Sequence, residues 1–199
     1  VSRLAVLASG NGSNFEALAE ALRARPAADG PRHECVLLVY DRVAAYAARR
    51  AERLGIFSRY VTYYQREAAA AEAEITAALR EARVDVVALA GFMRILSGGF
   101  VAAWRGRLVN VHPSLLPAWP GAHAIERAYE AGERRFGVTV HFVDEGMDTG
   151  TIIDQESFEP EAGESLEAIE ARIHSIEHRI YPRAVLKLLD DRGAEGAGT

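Results

Sequence analysis

The sequence predicts a single-domain α/β fold: a mostly parallel sheet flanked by helices. Three observations carry this. Apolar runs of strand length alternate with segments of helical period from residue 4 to residue 111, and repeated β–α alternation implies parallel strands covered by helices. One of those runs, Asp85 to Ala90, is continuous rather than alternating, as expected of a strand buried on both faces. The chain has 199 residues, 49% of them hydrophobic, which suits one domain with a real core.

Taken in order, Leu4 to Ala8 reads as the first strand, and Phe15 to Arg25 as an amphipathic helix with Leu18 and Leu22 one turn apart. Glu34 to Tyr40 is a second strand, Val43 to Leu54 a second helix and Ile56 to Val61 a short strand. Thr62 with Gln65 three residues on is a capping-box pattern, placing the start of a helix that runs through the Ala/Glu stretch to Arg83. Strands follow at Asp85 to Ala90 and Leu108 to Val111, then at Val138 to Val143 and Thr151 to Phe158 around the acidic loop Asp144 to Gly150. A long amphipathic segment, Ser165 to Leu189, closes the fold; Pro182 should kink or divide it by removing a helix hydrogen bond. Residues 1–190 are expected to form the domain and 191–199, rich in Gly and Ala, a flexible tail.

Composition narrows the function. The formal net charge is -5 with no long block of one sign, a poor basis for neutralising nucleic-acid phosphates. No run approaches the roughly 18 apolar residues that cross a bilayer, and Val1 to Leu4 lacks the pattern of a signal peptide; a cytoplasmic protein is expected. The single cysteine, Cys35, lies in an apolar run and reads as a core thiol. The six histidines lack the spacing of a metal site.

The segment Ser9 to Asn14 (Ser-Gly-Asn-Gly-Ser-Asn) leaves the first strand and opens the first helix. Glycine permits positive φ, and N–H groups at a helix N-terminus suit an anion. Gly12, Ser13 and Asn14 are therefore candidate phosphate ligands; a tight turn with a polar N-cap is the alternative. A dinucleotide fingerprint is excluded by Phe15, and the Gly-Lys-Ser/Thr of a Walker loop is absent. Asp41, after the second strand, could hold a ribose hydroxyl or cap the next helix.

The strongest local signal is Asn110 to Pro117 (Asn-Val-His-Pro-Ser-Leu-Leu-Pro). Residues two apart in a strand point the same way, so Asn110 and His112 can present an amide and an imidazole to one cleft. Asp148 lies in a Gly-flanked loop whose spacing does not match an EF-hand; a solvated turn is the plainer alternative.

These residues, with Leu89 to Ser97 (Leu-Ala-Gly-Phe-Met-Arg-Ile-Leu-Ser), Val140 to Val143 and Glu177 to Pro182, resemble the folate-dependent phosphoribosylglycinamide formyltransferases over nearly the whole chain, in order and spacing. The resemblance implies a Rossmann-like formyltransferase fold and two small-molecule substrates, 10-formyltetrahydrofolate as formyl donor and glycinamide ribonucleotide as acceptor, in purine synthesis, with no metal. It assigns the ribose phosphate to Gly12, Ser13 and Asn14, and the pterin to Met93, Arg94, Ile95 and Leu96. Arg66 becomes a further folate contact. Asn110 contacts the transferring formyl group, His112 is the catalytic acid, and Asp148 is the carboxylate that tunes it. Glu177 lies near the substrate amine; an exposed helical charge is its alternative.

The chemistry suits these residue types. Amine attack on the formyl carbon puts negative charge on the formyl oxygen, which Asn110 and a charged His112 can hydrogen-bond. Three positions depart from the family's pattern: Ile125 replaces a histidine, Tyr40 with Asp41 a Ser-Asn pair, and His174 a Gln or Lys. Among relatives of similar chemistry, methionyl-tRNA formyltransferase is expected to carry a further C-terminal domain and formyltetrahydrofolate deformylase an N-terminal one. A non-catalytic nucleotide-binding module is the alternative from another class.

Overall fold

In the computed structural model, which describes the backbone of residues 1–196 and the side chains of residues 1–192, seven strands form one sheet. They are β1 (Arg3–Ala8), β2 (Glu34–Tyr40), β3 (Phe57–Tyr60), β4 (Val86–Leu89), β5 (Leu108–His112), β6 (Phe136–Phe142) and β7 (Ile152–Phe158). Their order is β3-β2-β1-β4-β5-β6-β7. The first five pair in parallel, and β6 and β7 complete the sheet antiparallel.

The helices are α1 (Ser13–Ala24), α2 (Ala47–Leu54), α3 (Ala68–Glu81), α4 (Gly98–Ala103), α5 (Ala124–Glu130) and α6 (Leu166–Gly196). Two apolar layers sandwich the sheet. Along β1, Leu4, Val6 and Ala8 pack into the layer under α1 and α6, while Ala5 and Leu7 pack into the layer under α3. The strand's period of two thus sends a continuous apolar run to both faces. The same logic explains β4, whose four residues are all buried.

Helix α6 buries Ile169, Ile173, Ile176, Ile180, Ala184 and Leu188 along one stripe. The Tyr181 hydroxyl, at the inner face, donates to the carbonyls of Leu89 at 2.8 Å and Val109 at 3.3 Å. Helix and sheet are thereby joined at the end of β4 and the first half of β5.

Several expectations need correction. Pro182 does not divide α6, which is continuous; buried Ile180 and Tyr181 before it and Ala184 and Val185 after it hold both halves against the sheet. Thr62 and Gln65 form no capping box. The Thr62 hydroxyl accepts from the Tyr64 N–H at 3.0 Å, Gln65 has φ 53°, and α3 starts at Ala68. Helix α2 starts at Ala47, with Tyr46 rather than Asp41 before it. The expected tail is helical through Gly196; the rest of it, residues 197–199, lies outside the described residues. Helices α4 and α5 were not expected at all.

Because β1, β2, β4 and β5 run the same way, Ser9, Asp41, Gly91 and the end of β5 gather at one edge of the sheet. In open α/β sheets this carboxyl edge is where ligands bind.

Candidate active site

At the end of β1 the chain turns into α1 through Gly12, which has φ 77° and serves as the N-cap without a side-chain cap. A β-carbon there would stand 2.6 Å from the Ala47 β-carbon, so both the conformation and the close approach of α2 require glycine. The turn is braced from α2. The Ala47 N–H donates to the Gly10 carbonyl at 3.1 Å, and Arg50 donates to the Asn11 carbonyl at 2.9 Å and to Asn11 Oδ1 at 2.8 Å. The first N–H groups of a helix have no partner within it, so those of Ser13 and Asn14 are free of intrahelical bonds and able to receive an anion.

Asn14 links this turn to α6. Its Nδ2 donates to Glu177 Oε2 at 3.0 Å, and His174 Nδ1 meets the same oxygen at 3.0 Å. Glu177 is buried, which rules out the exposed helical charge. The Glu177 carboxylate holds the His174 imidazole above its ordinary pKa of 6.5, against an opposing effect of burial.

Two strands away from β1, Asn110 and His112 project from β5 on the same side. Antiparallel pairing with β6 sets Asn110 opposite His141 and His112 opposite Thr139. His112 is buried, with Nε2 2.9 Å from the Trp119 carbonyl oxygen and Nδ1 3.5 Å from Asp148 Oδ2. Each ring nitrogen therefore faces an oxygen acceptor. Asp148, at φ 56° in the loop after β6, also accepts from the Gly121 N–H at 2.8 Å, and its Oδ1 lies 3.5 Å from His141 Nε2. The bond to His141, the Gly121 N–H and the adjoining imidazoles hold its carboxyl down to about 2, although burial opposes this.

Sequence reasoning gave His141 no role. Its Nδ1 donates to the Phe142 carbonyl at 2.8 Å, and its Nε2 lies 3.3 Å from Asn110 Nδ2 and 3.5 Å from Asp148 Oδ1. This orients the Asn110 amide and leaves its second N–H for the cleft. The signal lay in the β5–β6 register, which periodicity within either strand does not reveal.

The loop after β5 is fixed independently. Leu116–Pro117 is a cis peptide. Ser114 Oγ donates to the Ala118 carbonyl, and Thr139 Oγ1 donates to the Ser114 carbonyl, each at 2.6 Å. Gln155 Nε2 reaches both Thr139 Oγ1 at 2.7 Å and the Leu116 carbonyl at 3.1 Å. The loop that carries the Trp119 carbonyl to His112 thus rests on β6 and β7.

A cleft of about 320 Å³ opens beside Asn110, His141 and Asp148, and Arg94, Ile95 and Leu96 line its other wall. Met93 lies beside it, exposed, with its N–H donating to Ser9 Oγ at 2.8 Å. Arg66 is not among the cleft-lining residues; it pairs with Glu74 at 2.9 Å near the surface. Asp41 neither caps α2 nor stands free, but pairs with Arg94. Tyr40 packs against Tyr60 with ring centroids 5.4 Å apart, and Ile125 belongs to the core. Cys35 packs against the core, and burial pushes its thiol up to about 12, so it offers no nucleophile. Among the described residues no cluster of His, Cys, Asp and Glu could hold a metal ion, and no helix is long and apolar enough to cross a membrane.

Residues 2–185 match the family model described as formyl transferase. The chain is 43% identical over 191 residues to the phosphoribosylglycinamide formyltransferase of Bacillus subtilis, covering 95% of each. It is also 46% identical over 191 residues to the trifunctional purine biosynthetic protein adenosine-3 of Drosophila melanogaster, where it covers 94% of this chain and spans only 14% of the longer protein. In three dimensions it superposes on the crystal structure of phosphoribosylglycinamide formyltransferase from Bacillus halodurans with a TM-score of 0.87 at 41% identity, covering 94% of this chain and 95% of that one.

Proposed function

The chain belongs to the formyl transferase family, and we propose that it moves the formyl group of 10-formyltetrahydrofolate onto the primary amine of glycinamide ribonucleotide, as a step of purine synthesis. Residues 1–190 are the domain that does so, acting on small molecules rather than on nucleic acid or a membrane, and in the cytoplasm.

The observation that carries this reading is that Asn110 and Asp148 line a cleft together with Arg94 to Leu96, with the buried His112 imidazole 3.5 Å behind the Asp148 carboxylate. The anion-suited turn at Gly12 lies at the same sheet edge. A phosphate held by Gly12, Ser13 and Asn14 anchors one substrate at that edge, with Glu177 beside it. The pterin lies along Met93 to Leu96, and the formyl group reaches Asn110.

The amine lone pair forms the new C–N bond as the formyl C=O π electrons move onto oxygen. That oxygen becomes negative where the second N–H of Asn110 donates to it, and a protonated His112 adds a second donor when its Nδ1–H, 3.5 Å from Asp148 in this structure, turns to the oxygen. The attacking nitrogen then loses a proton, and the folate N10 gains one as its C–N bond breaks. His112 passes that proton, directly or through one water. Asp148, ionised at any pH near neutrality, stabilises the imidazolium that the transfer requires. No covalent enzyme intermediate is involved.

The test is release of tetrahydrofolate by purified protein, followed by absorbance with and without glycinamide ribonucleotide. Amine-dependent release is expected. Release to water alone would indicate a deformylase, and no release with either would indicate a binding module.

A further inference from the structure

The wall of the cleft formed by residues 91–97 is held from behind. Ser9 supplies two bonds: its N–H donates to the Gly91 carbonyl at 3.1 Å and its Oγ accepts from the Met93 N–H. Glu72, buried on α3, accepts from the Ser97 N–H at 2.8 Å and from the Ser97 hydroxyl. Between these two anchors Leu96 packs against the core, and Arg94 supplies the polar tie. Its Nε donates to Asp41 Oδ2, and its guanidinium lies over the Tyr63 ring at 5.0 Å. The Tyr63 ring packs edge-on against Phe92, with centroids 6.2 Å apart.

Asp41 is unusual for its position. Its side chain is 0% exposed, and Oδ1 is buried with no hydrogen-bond partner, so Arg94 carries most of its compensation. A buried carboxylate with one cationic partner holds that partner tightly, because separating them leaves an unpaired charge out of water. Arg94 is 35% exposed and would otherwise be free to swing into solvent. Fixing its side chain fixes the backbone between Met93 and Ile95, the two exposed large apolar residues of the wall.

We propose that Asp41 is a positioning residue for the formyl donor: through Arg94 it sets the shape of the 91–97 wall, and so governs donor affinity without touching the reacting atoms. The assignment rests on the reading of that wall as the donor site. It accounts for an acidic residue after β2, where it neither caps α2 nor faces the cleft.

The experiment compares wild type with Asp41→Asn, which keeps the shape, and with Asp41→Ala. Steady-state kinetics with each substrate varied in turn, and amide hydrogen exchange on the free proteins, are the readouts. Both variants should raise the KM for 10-formyltetrahydrofolate, by about tenfold for Asp41→Ala, with kcat and the KM for the amine substrate little changed. Asp41→Ala combined with Arg94→Gln should raise the donor KM no more than Arg94→Gln alone, since the first residue acts through the second. Faster exchange should be confined to 91–97 and its contacts. An unchanged donor KM, additive effects in the double variant, or equal losses in both KM values and kcat would overturn the proposal. A wild type that transfers no formyl group would count against the activity instead. Exchange then decides: selective loosening of 91–97 supports the role of Asp41, and unchanged exchange there overturns it.

Discussion

Asp148 and His141, one from a loop and one from β6, lie with Oδ1 and Nε2 3.5 Å apart, and the other oxygen of the same carboxylate stands 3.5 Å from His112 Nδ1. A single carboxylate therefore faces two buried imidazoles that descend from neighbouring strands. The consequence is measurable in stability.

The Asp148 carboxyl is held down from 3.8 to about 2, so it binds its proton less readily in the folded than in the unfolded chain. Its contribution is fully present above pH 3.8 and is lost as pH falls toward 2. A shift of this size corresponds to about 2 kcal/mol. Asp148→Asn should lower the unfolding free energy near neutral pH by that order, and should flatten the acid limb of stability against pH. Urea titrations between pH 2 and pH 7 check both; parallel curves for the two proteins would show that Asp148 contributes no such linkage.

At the anion turn, Gly12→Ala should both destabilise the protein and weaken the phosphate-bearing substrate. Positive φ at a non-glycine residue costs of order 1–3 kcal/mol, and the added carbon meets Ala47 at 2.6 Å. Thermal melting reads the first effect, and the KM for glycinamide ribonucleotide reads the second. The donor KM should stay near wild type, since Gly12 does not line the donor cleft.

The pair His174–Glu177 gives a second pH dependence, of opposite sign. His174 is held above 6.5 by Glu177, with Glu170 adding to the effect and burial opposing it. Its stabilising contact is complete below pH 6.5 and fades as pH rises through the raised value. Because Glu177 also holds Asn14, the KM for the amine substrate should rise across that alkaline range. Glu177→Gln should raise that KM at low pH and abolish the dependence. A profile of KM against pH for both proteins is the check.

Much of the fold could be read from the sequence because buried strands advertise themselves. Glu34–Tyr40 was found to the residue, and β1, β4 and β5 within one or two, since apolar runs between polar turns have few other solutions. Helices α4 and α5 escaped for physical reasons. The first is six residues long and opens on Gly98 and Gly99, which are weak helix formers. Ser97, whose hydroxyl accepts from the Phe100 N–H at 3.3 Å, starts it instead. The second has seven residues and is entered through His123 at φ 56°. At the site, Asn110 and His112 were legible as neighbours on one strand. His141 and Asp41 were not, because their partners come from distant parts of the chain and their roles depend on strand register and on a buried ion pair.

Turnover of His112→Ala tests the central claim most directly. With folding checked by its thermal melt, the variant should lose about 100- to 1,000-fold in kcat for formyl transfer, the usual cost of removing one preorganised donor, while both KM values stay within a few-fold of wild type. A His112→Ala protein that transfers formyl groups at a near-normal rate would contradict the account, because the imidazole facing Asp148 would then have no part in the chemistry.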